Sequence, residues 1–172
     1  FQIQQLALTY IYNCGVTVSI KDLLINRDAL KQIHAIESGL IAESHLITDK
    51  LNSGSIVAPI GKTIEEYYEE LQKNALNQGD SLYPPLFGSI DPEYNCFDKM
   101  IMYGSKGKLD NFRNIATAVG QLEINGERFK ENFGRRCLPY FTRYDGDPRS
   151  RGYIPNSYMS GIRVAEFMFH AQ

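Results

Sequence analysis

Four stretches carry side chains whose types and spacing could do chemistry. Gly104-Ser-Lys-Gly107 sets one lysine between two glycines. Glycine lets a backbone come close to an anion, and Lys106 adds a mobile positive charge, so this turn can meet a phosphate. The GxxxxGK[ST] spacing of a P-loop is missing, and an ordinary exposed turn explains the same four residues. Tyr144-Asp-Gly-Asp147 offers two carboxylates of the kind that hold magnesium in nucleotidyl transfer. Pro148 follows them, and a turn with Asx-type hydrogen bonds accounts for the loop without a metal. The run Glu65-Glu66-Tyr-Tyr-Glu69-Glu70 could be an acidic catalytic pair or a metal site, but nothing nearby supplies further ligands. An exposed helical face, its first-turn acids suiting the helix dipole, is the expected reading. His34, His45 and His170 form no Ser/His/Asp or Cys/His constellation, so no nucleophilic catalyst is legible.

These stretches need elements to position them. Residues 2–12 read as the tail of a helix with apolar Ile3, Leu6, Leu8 and Tyr10, stopped by Asn13 and Gly15. Val16, Val18 and Ile20 alternate with polar or small residues and predict a short half-buried strand. From Asn26 to Lys50, Leu30, Ile33, Ile36, Leu40, Ile41 and Ile47 recur at helical spacing. Thr63 opens a second helix through a capping box with Glu66; its buried stripe is Ile64, Tyr67 or Tyr68, Leu71 and Ala75, and Gly79 ends it. The two helices predict an antiparallel hairpin. Residues 80–98, with three prolines, read as an irregular connection. A helix capped by Asp110 follows the Gly104–Gly107 turn. Gln121–Ile124 and Glu127–Phe129 flank Asn125-Gly126, the signal for a type I′ hairpin. Residues 130–156 read as mostly loop, and a final helix runs from Ile162 through Gln172.

The fold class is therefore α+β and predominantly helical. A long antiparallel helical hairpin comes first, then a small mixed α/β segment with a hairpin, then the start of a long helix. The chain has 172 residues and a net charge of −2, with 43% hydrophobic and 22% charged residues, as in ordinary globular protein. No apolar run approaches the ~20 residues that a membrane-spanning helix needs. Three cysteines, Cys14, Cys96 and Cys137, form no CxxC pair; they argue against a disulfide scaffold or zinc site and fit a reducing compartment. Phe1 is not an initiator methionine and no signal segment follows it, so a processed piece or an excerpt is expected. Residues 1–98 carry 6 basic and 13 acidic side chains, whereas residues 99–151 carry 11 basic and 6 acidic. That asymmetry reads either as a phosphate-meeting surface behind an acidic one or as chance clustering on a solvated face.

The last seventy residues are more specific when read together. Gly104-Ser-Lys-Gly107, Ala118-Val-Gly-Gln121, Asn125-Gly-Glu-Arg128, Arg136-Cys-Leu-Pro-Tyr-Phe141, Ser150-Arg-Gly-Tyr153, Asn156-Ser-Tyr158 and Glu166-Phe-Met-Phe-His-Ala171 stand in unbroken order. This order closely resembles the largest subunit of multisubunit DNA-directed RNA polymerase in its eukaryotic, archaeal and large-DNA-virus form. Gly15-Val-Thr-Val-Ser-Ile-Lys-Asp22 looks like that family's entry into its funnel segment.

The resemblance implies that residues 1–14 end a pore-region helix and 15–100 form the funnel. Residues 101–160 would then form the pore floor near the active centre, and 161–172 the N-terminal start of the bridge helix. It implies a nucleotidyltransferase whose funnel lines a secondary channel for nucleotide entry and cleavage-factor access. Lys106 would contact the incoming triphosphate. Asn114, Gly120, Gln121, Gly126, Arg128 and His170 would lie around the pocket beside the bridge helix where amatoxins bind in sensitive relatives. Gln121-Leu122 stands where the family usually has two glutamines, which weighs against toxin sensitivity. The prolyl connection is longer than usual and points toward a divergent enzyme, such as a viral one. The catalytic NADFDGD motif is absent and Asp145/Asp147 do not replace it, so magnesium would be held by the rest of the subunit. Implied partners are the other polymerase subunits, especially the second-largest, with template DNA, RNA, nucleoside triphosphates and a transcript-cleavage elongation factor. No membrane partner is implied. The implied location is nucleus or cytoplasm, or the virion for a viral enzyme, and not secretion. The rival from another class is a stand-alone helical interaction module, which would need Phe167 and Phe169 to bury locally.

Overall fold

The computed structural model describes residues 1–77 and 79–172. Helix α1 (Gln2–Cys14) ends at Gly15, whose φ of 65° is the left-handed backbone that glycine tolerates. It buries none of its residues. The strand expected at Val16, Val18 and Ile20 does not form. Residues 15–19 are irregular, and Ile20–Leu23 is a 3-10 helix whose start is tied by the Ser19 amide donating to Asp22 Oδ2 at 2.8 Å. Alternation alone cannot make a strand where no neighbouring strand offers its ladder.

Helix α2 (Arg27–Asn52) starts where Asn26 accepts a 2.7 Å hydrogen bond from the Ala29 amide. Its stripe buries Ile33, Leu40 and Ile47. Helix α3 (Ile64–Leu76) carries the predicted capping box: the Glu66 amide donates to Thr63 Oγ1 and the Thr63 amide to Glu66 Oε2. The two pack antiparallel, Ser44 facing Gln72 and Thr48 facing Tyr68 across the interface. The predicted stripe is corrected in two places. Ile64, in the first turn of α3, is 51% exposed, and Gln72 is fully buried. Gln72 Oε1 accepts from Ser44 Oγ at 2.6 Å, while its Nε2 donates to Ser44 O and Thr48 Oγ1. Every polar atom of that amide is thus satisfied without water. Ser44→Ala leaves Oε1 without its donor and is expected to cost about 1–3 kcal/mol, measurable by chemical denaturation. A loss indistinguishable from that of an exposed Ser→Ala control such as Ser38→Ala would contradict it.

Residues 80–98 are more ordered than an irregular connection. A 3-10 helix at Gly79–Leu82 leads into α4 (Tyr83–Gly88), and α5 (Cys96–Met102) follows a turn at Asp91–Tyr94. Pro84 and Pro85 fall in the first turn of α4, where amides have no intrahelical carbonyl to meet, so they start a helix rather than break one. Helix α6 (Leu109–Ala116) is preceded by Lys108 at its N-cap. Asp110 lies inside the first turn and is not the cap. Its Oδ1 instead accepts from the Tyr83 hydroxyl at 2.8 Å, tying α4 to α6. Burial and that bond push the Tyr83 phenol up to about 12. Leu86, Phe112 and Ala116 form the core between them, with Phe97 edge-on to Phe112.

Asn125 and Gly126 both have positive φ, 53° and 80°, and Ile124 pairs with Glu127, as a type I′ turn requires. Gln121 belongs elsewhere. Strand β1 (Gly120–Gln121) pairs antiparallel with β2 (Tyr153–Ile154), Gln121 opposite Tyr153. Between them the chain is mostly loop, apart from a 3-10 helix at Pro148–Arg151. A second core gathers Phe129, Cys137, Leu138 and Phe169. Helix α7 runs Val164–His170, starting two residues later than expected and ending before Gln172, because Ala171 takes the cap position. Phe169 is buried but Phe167 is 53% exposed, so only one of the two aromatics that the interaction-module rival needs is covered.

Candidate functional site

The Gly104–Gly107 turn hangs from the C-terminal end of α5. Gly104 and Gly107 have φ of 68° and 85°. The Ser105 and Lys106 amides both point back at Met100 O, at 3.1 and 3.4 Å, and Ser105 Oγ donates to the same carbonyl. Those amides close the helix end and are not turned toward an anion. What the turn offers is the Lys106 side chain, exposed and without a partner among the described residues.

The six residues expected around one pocket divide into three places. Gly120 and Gln121 lie in β1, beside Leu76, Arg113 and Tyr153, around a hollow of about 30 Å³. Gln121 Nε2 donates to Leu122 O and Arg151 O, while its buried Oε1 has no hydrogen-bond partner among the described residues. Asn114 and His170 are joined through Tyr158: the Tyr158 amide donates to Asn114 O at 3.1 Å, and its hydroxyl lies 2.6 Å from His170 Nε2. The buried Glu166 secures the same corner, accepting both bonds of the Asn156 amide group at 2.9 Å and the Arg163 amide at 2.7 Å. Sequence reasoning gave Glu166 no role; a glutamate at the third helical position, three residues after the cap, was the signal available.

Gly126 and Arg128 sit on a cleft of about 520 Å³ between α3 and the Asn125-Gly126 turn. Here the acidic and basic halves of the sequence meet. Glu69 Oε1 accepts from Arg151 Nη1 at 2.6 Å, and Glu69 Oε2 lies 3.5 Å from Arg128 Nη1. Lys73 Nζ donates to Glu123 Oε2 at 2.9 Å and to Gly126 O at 3.0 Å. Burial holds the Arg128 guanidinium below its ordinary pKa, with the Glu69 carboxylate pulling the other way. Part of the basic surplus read from the sequence is therefore consumed inside the molecule. The acidic face is likewise mostly committed: Glu66 caps α3 and Glu70 pairs with Lys62, leaving Glu65 without a partner among the described residues.

Asp145 and Asp147 follow the turn reading. The Asp147 amide donates to Asp145 Oδ1 and the Arg149 amide to Asp147 Oδ1, at 3.0 and 2.8 Å. Among the described residues no three His, Cys, Asp or Glu side chains converge as metal ligands. Cys137 Sγ donates to Phe129 O at 3.3 Å, and burial pushes its thiol up, the opposite of an activated nucleophile. His34 pairs with Glu37 at 3.2 Å and His45 lies 3.9 Å from Asp147.

A helical hairpin, a glycine-flanked lysine turn and a two-stranded antiparallel sheet are the elements that position these residues. The family model for RNA polymerase Rpb1, domain 4, matches residues 47–154, and the chain is a member of that family. Its relatives include the proteins named DNA-directed RNA polymerase RPB1 homolog in African swine fever virus, in isolates from a South African tick, a Namibian warthog and a Kenyan pig. Each is 39% identical over 170 residues, covering 98% of this chain and 12% of the relative. The chain thus spans about an eighth of the length of these viral relatives, and the resemblance read from the ordered motifs holds along nearly all of it.

Proposed function

We propose that this chain works in template-dependent RNA synthesis as a segment of the largest subunit of a DNA-directed RNA polymerase, lining the secondary channel by which nucleotides enter and a cleavage factor gains access. The observation that carries this is the 39% identity over 98% of the chain to viral RPB1 homologs. Residues 1–14 would end the pore-region helix, 15–100 form the funnel, 101–160 the pore floor and 161–172 the start of the bridge helix. The other polymerase subunits, the second-largest above all, would pack against it, with template DNA and RNA passing nearby. The location would be nucleus or cytoplasm, or the virion if the source is a virus. The residues present do not fit a magnesium site, since Asp145 and Asp147 are engaged by turn amides. The catalytic metal would be held by the rest of the subunit.

Lys106 is the residue assigned to the incoming triphosphate. With the neighbouring amides tied to Met100 O, its ammonium group would make the contact alone. A charge-assisted hydrogen bond of this kind is worth about 1.5–3 kcal/mol, or roughly ten- to a hundredfold. Lys106→Ala in the assembled polymerase is expected to lower single-nucleotide incorporation efficiency by that factor. Unchanged nucleotide kinetics would remove Lys106 from the site.

The acidic face of α3 would form the rim of that channel, and this assignment has its own test. Glu69 is excluded from it because that carboxylate holds two arginines. Charge reversal at the exposed Glu65 and Glu70 should reduce factor-stimulated transcript cleavage several-fold while leaving elongation within about twofold, because rim charges act mainly on partner association. Equal loss of both activities would place α3 away from the channel mouth.

A further inference from the structure

The loop from Asn132 to Tyr144 carries three arginines, four aromatic rings and no acidic residue. Phe141 is committed to the core, stacked on Phe169 with ring centroids 5.9 Å apart. The other three rings are bare: Phe133 is 58% exposed, Tyr140 77% and Tyr144 74%. Arg135 and Arg143 are exposed in the same loop, and neither guanidinium has a carboxylate or other acceptor among the described residues. The flanking acids, Glu131 and Asp145, are half-buried and line an inner hollow together with Arg136 and Arg151. The loop is tied into one piece. The Phe133 amide donates to Arg136 O at 3.0 Å and the Tyr144 amide to Arg135 O at 2.9 Å, while Cys137 and Leu138 anchor it in the core beside Phe129 and Phe169. Tyr140 stands edge-on to Phe141, 5.1 Å between centroids. Arg143 Nη2 lies 4.0 Å from where a Gly134 Cβ would stand, so this guanidinium reaches back to the turn that carries Phe133 and Arg135.

We infer that this loop is a stacking platform for single-stranded nucleic acid, with bases lying on the exposed rings and phosphates meeting Arg135 and Arg143. Every base has a π-face, and a guanidinium meets phosphate oxygens through two parallel N–H donors. The two kinds of side chain that the loop leaves open are therefore the two that an unpaired strand needs. A duplex keeps its base faces stacked inside and leaves the rings unused. A protein partner is the competing occupant, but its usual apolar anchors find little here, since the leucine and the cysteine of the loop are both buried. The charge also favours a polyanion, because exposed arginines without local carboxylates attract one along its length. With the backbone already fixed, little ordering remains to oppose binding. The platform is separate from Lys106 and from the acidic face of α3, and stands whether or not either lines the secondary channel.

The test uses the assembled polymerase halted on a complete DNA–RNA scaffold, so that its main nucleic-acid path is already filled. Fluorescein-labelled oligouridylate and oligothymidylate of about twelve nucleotides are then titrated and followed by anisotropy. Saturable binding is expected. Tighter binding of the RNA would identify a transcript end as the occupant and tighter binding of the DNA a displaced strand, and either upholds the platform. Tyr140→Ala should weaken binding roughly five- to a hundredfold, the loss of one stacked base, whereas Tyr140→Phe keeps the ring and should stay within about twofold. Arg143→Gln should reduce the slope of log affinity against log salt by about 0.7, the share of one phosphate contact on a single strand. A merely structural arginine leaves that slope unchanged. Tyr140→Ala binding as wild type, or an unaltered salt slope in Arg143→Gln, overturns the inference. So does a halted polymerase that binds neither oligonucleotide, since the loop would then be covered by a neighbouring protein surface.

Discussion

Glu69→Gln is expected to destabilise the folded chain by about 3 kcal/mol, although Glu69 is one residue on a face that reads as solvated. Its carboxylate is the only acid within 4 Å of either Arg128 or Arg151 among the described residues, at 3.5 and 2.6 Å. The two guanidinium groups repel each other and their side chains are only 3% and 17% exposed. Removing the shared counter-charge leaves both cations poorly hydrated, and breaking a buried pair from one side costs about 3–5 kcal/mol. The lower end applies because Glu69 is itself 35% exposed. For a chain of this size, about 3 kcal/mol corresponds to a fall in Tm of roughly 6–12 °C. Glu65→Gln, four residues away on an exposed site, should stay within about 0.5 kcal/mol. Pairing Glu69→Gln with Arg128→Met should recover part of the loss, since the orphaned charge then disappears. Equal melting temperatures for the Glu69 and Glu65 variants would show that the pair contributes nothing.

Gly152→Ala should cost as much by a different route. Gly152 ends the Pro148–Arg151 3-10 helix with φ 90°, in the left-handed region that L side chains avoid at about 1–2 kcal/mol. A Cβ there would stand 2.4 Å from Phe129 Cδ2 and 2.8 Å from Cε2. Phe129 cannot step aside, because its ring is 4.7 Å from that of Phe169 and packs against the Cys137 and Leu138 core. Forcing atoms into such a core costs about 1–3 kcal/mol more, for a total of roughly 2–5 kcal/mol. Gly161→Ala is the control: its φ is 88°, but a Cβ there meets none of the described residues within 4 Å, so only the backbone cost remains. A Gly152 variant no less stable than the Gly161 variant would mean that the Phe129 ring yields freely.

Both effects sit in residues that their local sequence does not mark. Glu69 lies in the same Glu-rich run as Glu65, and only Arg128 and Arg151, 59 and 82 positions later, distinguish it. Gly152 belongs to a motif that carried the family resemblance, but its reason for being glycine is a phenylalanine 23 residues away. The failures of sequence reading have the same origin. Val16, Val18 and Ile20 alternate as a strand does, yet among the described residues no partner strand reaches them. Gln121 reads as part of the Asn125-Gly126 hairpin, yet it pairs with Tyr153. Gln72 is polar by type and buried by position, because Ser44 and Thr48 of the facing helix satisfy its amide.

What the sequence determined alone is what acts within a few residues. Thr63 and Glu66 close their capping box, Asn26 caps α2, Gly15 ends α1, and Asn125-Gly126 makes its tight turn, each through backbone and side-chain groups at most four positions apart. The family was legible for a related reason, since an ordered series of short motifs is a property of the string and needs no contact map. Only the tertiary structure decided which charges pair, which polar groups are buried, and that Asn114, Gln121 and Arg128 face different neighbours. Those outcomes depend on contacts between distant segments, and Coulomb attraction carries no preference for one acid over another until packing brings it near.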